Sequence, residues 1–470
     1  MTNESTKTTT TRLISVSTPC EQIDPMAVLR HTLGQERFYW NDNRSGITYV
    51  GFGIAVDLQA WGIDRFTNIK TQVQTLFENA RIQPDIPDFA EPQLFGGFSF
   101  SADFTPDNTW SIYHPAQFIL PHYQLAIRTN SDGSQSTWLT LNTLFENLDE
   151  TQLGKELEKE LEQIGTQLQD PLATMLARLQ SLETSGDPVP HPPINQLEYP
   201  MDYETWEAML NAAIEQFHAG HLDKVVLSRV AEIRFSQTVN VDKALTFLND
   251  QYPNCYRFLF EPRAHHAFFG ASPEMLVSTS GRELTTMGLA GSEPRGESTA
   301  EDDRLGQQLL NSPKDRHEHD LVVQAIRTRL SKISSELDIP TTPSLLKLSN
   351  IQHLYTPIRA TLNDQLTVFD LVELLHPTPA LGGAPRTDAL KFISAHEPVP
   401  RGWYAAPVGL VNRRLEGAFS VAIRSAVTEY ERVWLHAGAG IVAASEPQKE
   451  WDETALKFRP ILNALGITNT

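Results

Sequence analysis

A lysine opens the apolar run Asp223-Lys224-Val225-Val226-Leu227-Ser228-Arg229-Val230. Three consecutive apolar residues mark a strand buried on both faces, and an amine taken into such surroundings tends towards its neutral form, which can serve as a general base. In Gly270-Ala271-Ser272-Pro273-Glu274-Met275-Leu276-Val277 a turn sets a glutamate at the mouth of another apolar run. A carboxyl against apolar walls keeps its proton to higher pH and can donate it, so Lys224 and Glu274 make a complementary base and acid. Alone, each has a plainer reading: a strand-end lysine reaching for solvent, and an exposed turn glutamate.

Ser312-Pro313-Lys314-Asp315-Arg316-His317-Glu318-His319 reads as a helix start, with Ser312 as cap and Pro313 in the first turn. Traced backwards, its inward stripe runs Ile333, Leu330, Ile326, Val322 and then Glu318, with Asp315 nearby one turn earlier. An unpaired buried carboxylate is costly, so a cation should stand opposite: either Lys or Arg in an internal salt bridge, or Mg²⁺, which takes one or two carboxylates and completes its shell with waters and substrate oxygens. His317 and His319 point in nearly opposite directions on such a helix, which argues against a zinc pair. Glu450-Trp451-Asp452-Glu453-Thr454-Ala455-Leu456-Lys457 begins the last helix. Glu453 and Lys457 lie four apart, a pair worth ~0.3–0.5 kcal/mol on a surface; if Glu453 completes a Mg²⁺ site, Lys457 stands beside the anion the metal holds.

Three further segments must shape whatever these residues act on. Leu374-Leu375-His376-Pro377-Thr378-Pro379-Ala380-Leu381-Gly382-Gly383-Ala384-Pro385 is too rich in proline and glycine for regular structure and reads as a rigid pocket-lining loop. Arg424, in Val421-Ala422-Ile423-Arg424, reads as a strand guanidinium in need of a carboxylate. His436-Ala437-Gly438-Ala439-Gly440-Ile441-Val442-Ala443 satisfies the dinucleotide pattern G-x-G-x-x-A, but Ser445-Glu446-Pro447 breaks the chain where a helix should start. A nucleotide-dependent oxidoreductase is therefore disfavoured, and the glycines read as a strand end that lets backbone N–H groups approach an anion.

Around these segments, residues 46 to 130 read as strands and turns. Leu153, Leu157, Leu161, Ile164 and Leu168 then mark an amphipathic helix within about 149–184, followed by a proline-rich connector over 185–199. The Thr/Ser-rich residues 1–15 read as a disordered terminus without an apolar signal core. The 470 residues carry 38 Lys+Arg against 58 Asp+Glu, a net charge of −20, which disfavours nucleic acid and anionic membranes as partners. No apolar stretch approaches the ~18 residues of a membrane span. The two cysteines, Cys20 and Cys255, cannot form a disulfide framework, and a reducing cytoplasm fits them.

Taken in order over about Tyr203–Leu465, the set DKVVLSR, GASPEML, GLAGSEPRG, SPKDRHEHDLV, LLHPTPALGG, AIR, HAGAGIV and EWDET with Lys457 resembles the chorismate-utilising enzymes, isochorismate synthases above all. The resemblance implies an α+β fold of large antiparallel β-sheets flanked by helices, like that of anthranilate synthase component I. Residues 16–200 would be its N-terminal half and 201–470 the chorismate-binding catalytic part, the connector being a crossover or insertion. It implies chorismate as substrate and isochorismate as product. Lys224 matches the base that activates water for attack at ring C2, and Glu274 the acid that protonates the departing C4 hydroxyl. Glu318 and Glu453 match the Mg²⁺ ligands, with Asp315 acting through water. Gly291, Ser292, Arg424, Gly438 and Lys457 match carboxylate-binding positions, and Ala380 a ring-lining one.

Relatives that add ammonia, the anthranilate and aminodeoxychorismate synthases, generally lack a lysine at the Lys224 position, and the latter carry one where this chain has Ala290. Water is therefore the expected nucleophile and no glutaminase subunit is expected, the chain acting as a monomer or homo-oligomer. Salicylate synthase, which adds pyruvate-lyase chemistry, is the alternative within the family, and a catalytically inactive binding relative a further one. A quinone pathway, menaquinone or phylloquinone, is the expected consumer of the product.

Overall fold

The structure, a computed structural model, describes residues 9–78, 80–149, 162–182 and 189–468. Its strands form one hydrogen-bonded network, almost wholly antiparallel, that branches at the strand Ala116–Thr129. One edge of that strand pairs along its length with Ile47–Ala60; the other meets Leu94–Phe98 at one end and Gln135–Asp149 at the other.

From Ile47–Ala60 the first branch passes through Arg37–Asp42, Tyr256–Arg263, His266–Ser272, Ser425–Glu429 and Arg432–Ile441 to Lys224–Phe235. From Leu94–Phe98 the second passes through Pro407–Val411, Gly417–Val421, Met275–Ser280 and Glu283–Pro294 to Ile351–Leu362. Strands from the two halves of the chain thus pair directly, Arg37–Asp42 on Tyr256–Arg263 and Leu94–Phe98 on Pro407–Val411. The apolar side chains make two large clusters, and Lys224–Phe235 contributes to both, Val225, Leu227 and Val230 to one and Ala231, Ile233 and Phe235 to the other.

The N-terminal reading needs correction. Residues 9–15, expected to be disordered, begin the strand Thr9–Cys20, which pairs with Gln135–Asp149. Leu13, Ile14 and Val16 are buried, and the hydroxyls of Ser15 and Ser17 meet Asn142 and Thr140. The Thr/Ser composition taken for a solvated tail suits a strand as well, since threonine is β-branched and the Ser15 hydroxyl is hydrogen-bonded inside the sheet. Residues 46–130 also contain a helix, Arg65–Glu78, whose buried Phe66, Ile69 and Val73 follow helical spacing.

Strand structure runs on to Asp149, so helix does not begin there. Leu153, Leu157 and Leu161 lie outside the described residues, while Gln169–Gln180 is helical. Within the connector, residues 185–188 are likewise outside, and Ile194–Glu198, past its prolines, adds a short strand to Lys224–Phe235.

Candidate active site

Strands, helices and the connections between them bring the predicted residues to one cavity. Glu274, Gly291, Ser292, Glu318, Ala380, Arg424, Gly438, Glu453 and Lys457 all line it. Lys224 stands just behind the wall, its side chain wholly enclosed, at the start of the strand Lys224–Phe235. That strand is flanked by Arg432–Ile441 on one edge and by Gly383–Ala384, the end of the proline-rich loop, on the other. Asp315 lies against the Gly291 bulge.

Lys224 Nζ is 2.8 Å from Glu318 Oε1. Burial alone would raise the Glu318 carboxyl, but Lys224, with Lys457 and Lys314 further off, holds it below the usual carboxylate range.

Glu274 follows Ser272, whose hydroxyl accepts from the Glu274 N–H at 3.2 Å. Its carboxyl is enclosed, and burial pushes its pKa to about 8 against the pull of Lys224 and Lys457. A carboxylic acid holding its proton at neutral pH thus shares the cavity with the residues around Lys224.

The helix Pro313–Leu330 starts as its sequence implied, with the Ser312 hydroxyl accepting from the Asp315 N–H. Val322, Ile326 and Leu330 are buried along the face that carries Glu318. His319 also points inward, between Thr356 Oγ1 at 2.8 Å and the Ala290 carbonyl at 3.3 Å, while His317 faces solvent, so the two do not form a zinc pair.

On the helix Pro447–Ala464, Glu453 pairs with Lys457 at 2.6 Å, and Lys457 Nζ donates to the Gly438 carbonyl at 2.8 Å. Glu450 reaches Lys314 at 2.6 Å and ties the starts of the two helices together.

These carboxyls feel one another. Asp315 and Glu293 are raised first by burial and then by neighbouring acids, and Glu450 rises to about 7 through burial and the nearby Glu453. Such a convergence of hard oxygen donors is relieved by a cation, which makes the set suitable for Mg²⁺. No three of His, Cys, Asp or Glu are already assembled as a ligand set among the described residues. A metal here would use Glu318 and Glu453 and take its remaining oxygens from water and substrate.

The Arg424 reading changes, while the HAGAG reading holds. Arg424 stands not in a strand but in the connection between Gly417–Val421 and Ser425–Glu429, at φ +50°, and its hydrogen-bond partner is the His353 ring rather than a carboxylate. The HAGAG segment stays in strand through Ile441, with no helix before Pro447, as a dinucleotide fold would have required. Gly440 has its own steric reason: a Cβ there would overlap Glu318 Oε1 and come within 3.0 Å of Lys224 Cε.

Three polar lining residues were not anticipated: His353, Tyr404 and His436. His436 stacks on Tyr404 with ring centroids 4.9 Å apart, and burial, helped by Arg401, lowers its pKa to about 3. Its place in the HAGAG motif was the available signal; His353 and Tyr404 carried none.

Residues 1–466 match the family model described as chorismate binding enzyme. The chain belongs to the chorismate binding enzyme family. Among its relatives, isochorismate synthase MenF of Bacillus subtilis is 32% identical over 97% of this chain and 93% of that one. The salicylate biosynthesis isochorismate synthase of Pseudomonas aeruginosa is 34% identical over 97% and 91%. A solved structure, that of the menaquinone-specific isochorismate synthase MenF of Escherichia coli, superposes with a TM-score of 0.76 at 26% identity over 98% of this chain and 95% of that one. Anthranilate synthase component I of Streptococcus pneumoniae shares the fold, with a TM-score of 0.67 at 19% identity over 90% and 93%. The α+β fold of antiparallel sheets and flanking helices is therefore the family's.

Proposed function

We propose that this protein is an isochorismate synthase, an isomerase that converts chorismate to isochorismate by adding water at ring C2 and losing the C4 hydroxyl. The observation that carries the reading is the placement of a buried lysine and a protonated buried glutamic acid, Lys224 and Glu274, at one cavity that also receives two carboxylates from separate helices. Relatives at 32% and 34% identity over nearly the whole chain bear that name.

In this scheme Lys224 takes a proton from water as its oxygen bonds to C2. The ring double bonds shift, the C4–O bond breaks, and Glu274 gives its proton to the departing hydroxyl. One water is consumed and one released, so the reaction is a reversible isomerisation. Acid and base groups of this kind each contribute ~10²–10⁴-fold. Arg424, Lys457, Ser292 and the backbone at Gly291 and Gly438 would bind the substrate's carboxylates, and Ala380 would pack on the ring. Glu318 and Glu453 would hold Mg²⁺, with Asp315 through water, and the metal would grip a substrate carboxylate and screen charge in a protein of net charge −20.

The decisive experiment is incubation with chorismate and Mg²⁺ followed by chromatography. Isochorismate without pyruvate is expected, and stoichiometric pyruvate would move the assignment to salicylate or anthranilate chemistry. Menaquinone synthesis is the route we favour, because the Escherichia coli structure it superposes on is of a menaquinone-specific enzyme. No helix among the described residues is long and apolar enough to cross a membrane, and two free thiols suit the cytoplasm we propose as its location.

A further inference from the structure

Ser292 and His353 are cross-strand partners. The strands Glu283–Pro294 and Ile351–Leu362 run antiparallel with a register shift between Ala290 and Ser292, where Gly291 takes φ +77°. Both side chains line the cavity. Ser292 Oγ lies 3.0 Å from His353 Nδ1, and Arg424 Nη2 lies 3.4 Å from His353 Nε2.

The direction of this chain follows from what each group can offer. A guanidinium carries donors only, so Nε2 must present a lone pair to Arg424. The imidazole is neutral: burial first, then Arg424 and Lys457, outweigh a hydrogen bond to the Gly291 backbone and hold its pKa well below the ordinary value. Its single proton must therefore sit on Nδ1. A protonated Nδ1 has no lone pair for Ser292, so the Ser292 oxygen can only accept there, and its own proton is left to point into the cavity. With the other tautomer, the Ser292 proton would be spent on the ring and the hydroxyl would turn lone pairs towards an anion.

We propose that His353 is a positioning residue that sets Ser292 as a donor and steadies the Arg424 guanidinium, so that both donate to one carboxylate of the bound ring compound. This inference rests on the functional reading above and deepens it. It separates His353, which polarises its neighbours, from the residues that touch substrate.

Steady-state kinetics with chorismate at saturating Mg²⁺ tests it, using His353→Leu, His353→Asn, Ser292→Ala and the doubles with Ser292→Ala. His353→Leu should raise KM about tenfold with kcat held within about threefold, the pattern of a lost hydrogen bond made equally to substrate and transition state. Ser292→Ala should do the same alone, yet add less than about twofold on top of His353→Leu, because the two act through one proton. His353→Asn keeps an N–H near the Nδ1 position and should recover part of the KM. A KM within about twofold of the parent for His353→Leu, or single effects that multiply to about a hundredfold in the double, would overturn the inference. Should His353→Leu fail to fold, His353→Ala, which also lacks the ring N–H, and its double with Ser292→Ala give the same cycle, read by the same two criteria. A parent protein that leaves chorismate unchanged would instead strike the functional reading.

Discussion

Lys224 Nζ sits 2.8 Å from Glu318 Oε1, which joins the residue proposed as base to a residue proposed to hold the cation. Each needs the other only while the cation is away, because the metal would give Glu318 a second positive partner. Replacing Lys224 by Met should therefore do two separable things. Turnover should fall by at least ~10²-fold, the usual contribution of a general base. In EDTA the protein should melt lower, since removing one partner of a buried pair costs ~3–5 kcal/mol when the other is left alone, and less here because the Glu318 side chain is 12% exposed. Added Mg²⁺ should raise the melting temperature of Lys224→Met more than that of the parent, as read by calorimetry. Retained turnover would end the base assignment.

Glu274 governs the alkaline side of the pH profile. Burial places its pKa at about 8, so kcat should fall as pH climbs through that value and the acid is lost. Glu274→Gln should remove turnover, because an amide has no proton to give the leaving hydroxyl. The sign of the stability effect is fixed too. The carboxyl's ordinary value is 4.5; between there and about 8 the unfolded chain has released the proton while the folded protein keeps it, so stability falls as pH rises across that window and levels off above it. Chemical denaturation at pH 6 and pH 9 should show a larger loss in the parent than in Glu274→Gln, which keeps only the share of other raised carboxyls such as Glu450.

The carboxylates that converge on the cavity make the metal testable without turnover. Glu318→Gln and Glu453→Gln should each lower Mg²⁺ affinity at least about tenfold by titration calorimetry, since each removes one of the two carboxylates proposed as direct ligands. Glu318→Gln also leaves Lys224 without its ion-pair partner, so it should cost more stability than Glu453→Gln, whose partner Lys457 still donates to the Gly438 carbonyl. Mg²⁺ affinities equal to the parent's would remove both residues from the metal site.

What could be read before folding, and what could not, divides along a physical line. Lys224, Glu274 and Glu318 were legible because each breaks a local apolar pattern that the chain must bury, and such a conflict is visible within ten residues of sequence. Arg424 was legible as a lone guanidinium but not as a loop residue, because its φ of +50° depends on how two strands join. His353 belongs to an ordinary amphipathic strand, and its meaning arises from Ser292, 61 positions away, which only the pairing of two strands brings opposite it. The strand Thr9–Cys20 was missed for the same reason: its serines are satisfied by partners more than a hundred residues distant. Long-range pairing, and not local propensity, decided these cases.

Gly440 offers the narrowest test of the whole arrangement, because one methyl group should separate fold from function. The residue sits in the strand Arg432–Ile441, paired with Val226, in backbone that any residue can adopt. Its Cβ would overlap Glu318 Oε1 and crowd Lys224 Cε at 3.0 Å. Both are far ends of flexible side chains, so Gly440→Ala should fold and melt near the parent temperature while the carboxylate swings aside and the amine shifts. Turnover and Mg²⁺ affinity should then fall together, each by about tenfold or more, since a displacement near 1 Å in a reacting group can cost ~10²-fold. Gly438→Ala, where the nearest atoms are the Leu227 carbonyl oxygen at 3.0 Å and the Tyr404 hydroxyl at 3.2 Å, would disturb the proposed carboxylate-binding backbone instead. It should raise KM for chorismate with Mg²⁺ affinity unchanged. Equal behaviour of the two alanine variants would mean that Glu318 and Lys224 do not occupy the space Gly440 leaves open.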